Sequence, residues 1–234
     1  MLCDLLTATG VAGHPASYYR GEDIAEWAGR LGVPPGGGLA FERAYLDAVC
    51  QRGTGDTDTF GLRLMLNSVA ELSKRLALVF PEIADDATRF EAAFGSPLYV
   101  LLTRRNKVAQ AVSRLKAHQT GLWHMAADGS ERERAAPPQA AVYDGDRIAG
   151  YLAEAEADEA SWEAWFVRHA ITPVRVTYED LAVDPKGVLR RVLSALGRDP
   201  ELAESVAVRT AKMADTESRS WVARFERERP GVRD

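Results

Sequence analysis

The stretch "LYVLLTRRNKVAQAVSR", residues 98–114, decides how this chain is read. Its first five residues, Leu98 to Leu102, are a continuous apolar run, as in a strand covered on both faces. Lys107 to about Ala126 then reads as a helix, with Asn106 as its N-cap. In parallel sheets, ligands bind beyond the carboxyl ends of strands. A helix N-terminus at that point offers free N–H groups and the positive end of a dipole. Arg104 and Arg105 stand there, and guanidinium binds phosphate through two parallel hydrogen bonds. Ser113 lies eight residues beyond Arg105, about two helical turns on, and reaches the same anion if the ligand lies along the helix. The spacing also fits a plainer account, in which the arginines pair with acidic neighbours and Ser113 is a surface residue.

The rest of the chain repeats the alternation. Leu2–Thr9, Glu22–Leu31, Phe41–Cys50, Val69–Leu78, Ile148–His169, Val188–Leu196 and Glu217–Glu228 carry helical patterns. Thr59–Met65 and Pro173–Tyr178 read as the other two strands, and Ala135–Ala141, with Pro137 and Pro138, as a break. Short strands between longer helices predict an α/β fold, a parallel sheet flanked by helices, in a single domain over 1–234.

The 234 residues suffice for one full-size core. No apolar run approaches the roughly 20 residues of a membrane span, and the first residues lack a cationic signal-peptide region, so a cytoplasmic location is expected. Cys3 and Cys50 form neither a disulfide framework nor a metal spacing. A net charge of −5 argues against nucleic-acid binding, so any anionic ligand needs a local basic site.

Several segments, "LCDLLTATGVAGHP", "FGLRLM", "LYVLLTRRNKVAQAVSRLKAHQTGLWH", "PVRVTYEDLAVDP" and "WVARF", resemble the bacterial trehalose 2-sulfotransferase family and follow its order. The resemblance implies a sulfotransferase fold related to P-loop NTPases. It implies transfer of a sulfuryl group from 3′-phosphoadenosine-5′-phosphosulfate (PAPS), without a metal, to a hydroxyl of a sugar or glycolipid. A trehalose-type acceptor fits this expectation. Carried onto this chain, Arg105 and Ser113 grip the donor's 3′-phosphate, Arg104 supports the same charge, and Arg63, where the family has lysine, meets the sulfate. Gln119, Thr120 and Trp123 fall in a "QTGxW" stretch expected near the acceptor or nucleotide, while Tyr178 and Glu179 close the third strand as structural residues. Trp221, Arg224 and Phe225 either lid the nucleotide or pack on the core. Family members can dimerise, so a homodimer is an open expectation.

Two departures stand out. The family's first strand and its PRSGST-type phosphosulfate loop precede a helix in which this chain begins, at Met1-Leu2-Cys3-Asp4, so both are expected to be lacking. The family's basic glutamate lies in a "GxPxEYF"-like turn, here Gly13-His14-Pro15-Ala16-Ser17-Tyr18-Tyr19, with Ser17 in its place. Ser17 and Tyr18 are then expected to touch the acceptor. His14 is the first candidate base, since imidazole suits proton transfer near neutral pH, with Glu22 and Asp23 next and His118 and His124 in reserve. His14 fits equally a turn histidine with satisfied hydrogen bonds, and His169 a surface residue at a helix end. These departures also admit a second reading, a non-catalytic nucleotide-binding remnant of the fold.

Overall fold

The computed structural model describes residues 1–125, 131–134, 137, 139–208 and 216–229. In chain order the elements are α1 (Leu2–Ala8), α2 (Ile24–Arg30), α3 (Gly38–Thr54), α4 (Leu66–Val79), α5 (Asp86–Phe94) and β1 (Val100–Thr103). They continue with α6 (Lys107–Thr120), β2 (Leu122–Met125), β3 (Glu131–Arg134), α7 (Gly145–Arg168) and β4 (Val174–Thr177). The last are α8 (Tyr178–Val183), α9 (Pro185–Ala195), α10 (Leu202–Ser205) and α11 (Thr216–Glu228). The fold is mixed α/β and mostly helical, as expected, with β1 and β4 side by side in a parallel sheet. β2 and β3 form a separate antiparallel pair in which His124 faces Glu133 in the register. No helix among the described residues is long and apolar enough to cross a membrane.

The chain divides into two compact units. The first comprises Met1–Leu101, Phe166–Val174 and Asp184–Ala207. Within it α3 packs on α4, α4 on α5, and α1 on α9. Tyr45 is fully buried, edge-on to Tyr19 at 5.6 Å, and its hydroxyl donates to the Tyr18 carbonyl at 2.5 Å. Glu42, almost fully buried, is matched by Arg75 at 2.8 Å, and Arg75 also reaches Glu71 at 2.7 Å. A buried carboxylate without such a partner would be strongly destabilising. The second unit comprises Leu102–Trp165, Arg175–Val183 and the described residues from Val208 onward. Its core joins one face each of α6, α7 and α11: Val112 and Leu115, Ile148 and Leu152, Trp221 and Phe225. Trp221 and Phe225 are therefore core residues.

The structure corrects four sequence expectations. No strand forms over Thr59–Met65; only an isolated parallel bridge joins Ala16 to Leu62. Arg63 N–H donates to the Ala16 carbonyl at 3.0 Å, but Pro15 has no N–H with which to extend a ladder. The helix from Lys107 ends at Thr120 because Gly121 adopts φ 69°, the left-handed C-cap conformation that glycine takes without strain. Trp123 and His124 consequently lie on β2. Tyr178 and Glu179 open α8 rather than closing a strand, with the Thr177 hydroxyl accepting from the Asp180 N–H at 3.1 Å. Finally, α5 was not anticipated, although Asp85 caps it by accepting from the Thr88 N–H at 2.8 Å and Gly95 ends it. The break expected at 135–141 lies partly outside the described residues.

Two backbone positions give measurable expectations. At the end of α7, Ala170 takes φ 52°, and Ile171 N–H donates back to the Phe166 carbonyl at 2.9 Å. This closes the helix with a left-handed residue, a place that suits glycine. Ala170→Gly should raise stability by about 0.5–1 kcal/mol in denaturant unfolding. Gly13 has φ +65°, and a Cβ there would run into the backbone oxygens of Thr59 and Gly53. Gly13→Ala should cost about 2 kcal/mol or more by the same measurement.

Candidate functional site

The second unit holds the basic site anticipated after β1, with its parts rearranged. Asn106 caps α6 by accepting from the Ala109 N–H at 2.7 Å. The N–H groups of Arg105 and Asn106 donate to the two carboxylate oxygens of Glu179, at 3.0 and 3.2 Å. Two of the amides near the expected phosphate position thus already hold a carboxylate of the protein. Burial alone would raise the Glu179 carboxyl, but the two backbone N–H groups and the nearby Arg104 charge outweigh it and hold the group below the usual range.

The two arginines then diverge. Arg105 is 62% exposed and its Nη2 donates to Asp180 at 3.1 Å. Arg104 lies over the Tyr178 ring, 4.5 Å from its centroid, and its Nη1 donates to the Ser113 hydroxyl at 3.2 Å. The Ser113 hydroxyl in turn donates to the Ala109 carbonyl at 2.8 Å. Burial pulls the Arg104 guanidinium down from its ordinary value, and Tyr178 and Glu179 oppose that shift. Its Nε is buried without a hydrogen-bond partner among the described residues. The arginine beside Ser113 is therefore Arg104, where the sequence motif pointed to Arg105.

Arg104, Asn106 and Ser113 line a cavity of about 190 Å³ together with Ser218, Arg219 and Glu226 of α11. Ala109, Val222 and Ala223 supply its apolar wall. Lys116 of α6 steadies the start of α11, reaching Glu217 at 2.8 Å and the Ser218 hydroxyl at 3.3 Å. The α11 contribution was missed in the sequence, where Trp221, Arg224 and Phe225 drew attention instead. Arg224 points elsewhere, over the Tyr143 ring at 3.8 Å and onto Glu228 at 2.7 Å. The cavity offers a partly desolvated guanidinium and a second arginine, set against the single carboxylate of Glu226, with two serine hydroxyls and a small apolar wall. That set suits one anionic group on a ligand with an apolar body.

Other predicted residues of this unit have structural employment. The Gln119 side chain donates to the Val142 carbonyl at 3.0 Å and accepts from the Val142 N–H at 2.8 Å. Thr120 donates to the Lys116 carbonyl at 2.8 Å. Trp123 stands edge-on to His118 at 4.9 Å, and His118 stacks on Tyr151 at 5.5 Å. Burial, then Arg114 and Arg147, push the His118 imidazole below its ordinary value.

In the first unit, the Arg63 Nε donates to the Ser17 hydroxyl at 2.8 Å. His14 is pinned within its turn: its N–H donates to the Gly53 carbonyl at 2.7 Å, and its carbonyl accepts from the Tyr18 hydroxyl at 2.7 Å. Tyr18 is only 1% exposed, which places it in the wall of the turn. Glu22 is exposed and paired with Arg20, which also meets Asp23 at 3.7 Å. His169 is nearly buried and bonded to Asp85 at 3.0 Å, contrary to the expected surface position. Among the described residues, no three His, Cys, Asp or Glu side chains gather in a way that could hold a metal ion.

The sequence profile of the Stf0 sulphotransferase family matches residues 1–228. A trehalose 2-sulfotransferase from Mycobacterium tuberculosis (strain ATCC 35801 / TMC 107 / Erdman) is 29% identical over 233 residues, 96% of this chain and 83% of that protein. Another from Mycolicibacterium smegmatis (strain ATCC 700084 / mc(2)155) is 28% identical over 252 residues, 97% of this chain and 90% of that protein.

The Glu179 clamp has a pH signature. A carboxyl held low in the folded state stabilises the fold above its unfolded value, and that stabilisation disappears as pH falls through the folded value. Glu179→Gln should be less stable than the parent near neutrality by about 1–2 kcal/mol. The difference should shrink steadily between about pH 5 and pH 3 in urea titrations.

Proposed function

The chain belongs to the Stf0 sulphotransferase family and is a sulfotransferase, and from that premise we propose PAPS as its donor and a sugar or glycolipid hydroxyl as its acceptor. A trehalose-type acceptor is the first choice, because both relatives described above are named trehalose 2-sulfotransferases. The observation that carries the donor assignment is the Arg104–Ser113 pair at 3.2 Å, in a cavity of about 190 Å³.

The donor supplies an activated sulfuryl group; the acceptor oxygen bonds to sulfur as the bond from sulfur to the nucleotide's phosphate oxygen breaks. Within this reading, Arg104 and Ser113 hold the 3′-phosphate and so orient the nucleotide. Arg104 is effective because it is partly desolvated, and a Coulomb attraction there is severalfold stronger than in bulk water. Arg219 adds a second positive charge from α11, and Val222 and Ala223 offer a dry surface to the ribose or base. Arg63 is assigned to the sulfate charge and His14 to the acceptor's proton; both assignments rest on their places in the sequence motifs. Glu22 is the weaker base because its carboxylate is already paired with Arg20.

Isothermal titration with adenosine 3′,5′-bisphosphate tests the site. Arg104→Ala should weaken binding at least tenfold, and Arg105→Ala by a smaller factor because that side chain is committed to Asp180. Unchanged affinity on loss of Arg104 would move the phosphate elsewhere. Transfer of radiolabelled sulfate to trehalose, with glucose and maltose alongside, tests the acceptor.

A further inference from the structure

We infer that Glu179 is the positioning residue of this anion site, acting through Arg104; the inference rests on the nucleotide reading above. A ligand phosphate approaching α6 would ordinarily use the free N–H groups at the helix start. Here Glu179 takes the N–H groups of Arg105 and Asn106, and Asn106 takes that of Ala109. Those three donors are therefore committed, and the direction of the side chain beside them is set by the carboxylate. Its two bonds fix the backbone on the C-terminal side of Arg104. The preceding residue, Tyr178, lays its ring under the Arg104 guanidinium at 4.5 Å. One dipeptide of α8 thus holds the backbone beside Arg104 and the flat face of its side chain together. Arg105, drawn to Asp180 of the same short helix, is kept out of the cavity. What is left facing Ser113 is one guanidinium in one orientation.

A carboxylate this close to an anion site would by simple Coulomb repulsion weaken anion binding. The geometry assigns it the opposite net effect, since the order it imposes on Arg104 exceeds the repulsion it exerts. The sign of the mutant effect therefore tests the inference directly.

A double-mutant cycle with Glu179→Gln and Arg104→Ala decides it, read by titration with adenosine 3′,5′-bisphosphate. Glutamine keeps the volume but turns an N–H₂ group toward one of the backbone donors. Glu179→Gln should weaken binding about tenfold in the parent and less than twofold once Arg104 is absent. Equal losses in both backgrounds would reduce Glu179 to general support of the fold, and unchanged or tighter binding in the parent would show that the carboxylate merely competes with the ligand; either result overturns the inference. The ligand-free readout is the Arg104 Nε–Hε NMR resonance, expected to broaden or shift in Glu179→Gln but not in Asp180→Asn. If the parent fails to bind the bisphosphate, the nucleotide reading falls by itself, and an unmoved resonance in Glu179→Gln sinks the positioning role independently.

Discussion

Two backbone N–H groups sharing one carboxylate are the constraint on which the basic site depends. Hydrogen bonds to an ionised group are worth about 1.5–3 kcal/mol each, against about 0–1 kcal/mol for an exposed ion pair. The Glu179 contacts with Arg105 and Asn106 therefore outrank the Arg105–Asp180 pair, which is largely open to solvent. The loop between β1 and α6 takes its shape from the stronger interaction, and the surface pair follows it. Adjacent arginines, equivalent in sequence, become unequal: one faces water and an aspartate, the other an aromatic ring and a serine.

The inequality has a cost that the surroundings offset. Removing a guanidinium from water is unfavourable, and a buried Nε without a partner among the described residues adds to it. The Tyr178 ring returns part of this through a cation–π contact, about 0.5–2 kcal/mol at such a distance. An arginine poised in this way has less water to shed when an anion arrives. Across the cavity, Arg219 occupies the first turn of a helix that buries Ser218, Trp221 and Phe225 along its neighbouring face, the two aromatic rings beside Val112 and Leu115. Packing of that apolar face sets the place of the polar one, so a core contact supports a binding wall.

Much of the fold was legible because its signals are local. The apolar run before Arg104, the Asn106 cap and the alternation of strands with helices are written in neighbouring residues. Most of the misreadings came from partners far along the chain. Thr59–Met65 has strand-like residues, yet its bridge partner is next to Pro15, which ends the pairing. The helix from Lys107 stops where Gly121 permits a left-handed turn, a signal present in the sequence but outweighed by the helical pattern on either side. No local rule says which of two adjacent arginines meets Ser113, because the answer lies with Tyr178 and Glu179, more than seventy residues away. The α11 residues lining the cavity stayed unread for the same reason, since "ESRSWVARFERE" looks like any charged amphipathic helix until its apolar face is docked.

Gln119 carries a consequence of its own. Its primary amide meets the N–H and C=O of a single residue, Val142, as another stretch of main chain would. The segment around Val142 is thereby tethered as though paired with a neighbouring strand, by a surrogate peptide group projecting from a helix. Such a two-pronged dock tolerates no ionised stand-in, because a glutamate could satisfy the donor but would set negative charge against the carbonyl. A position that motif reading gives to substrate contact also holds the chain to itself in this molecule.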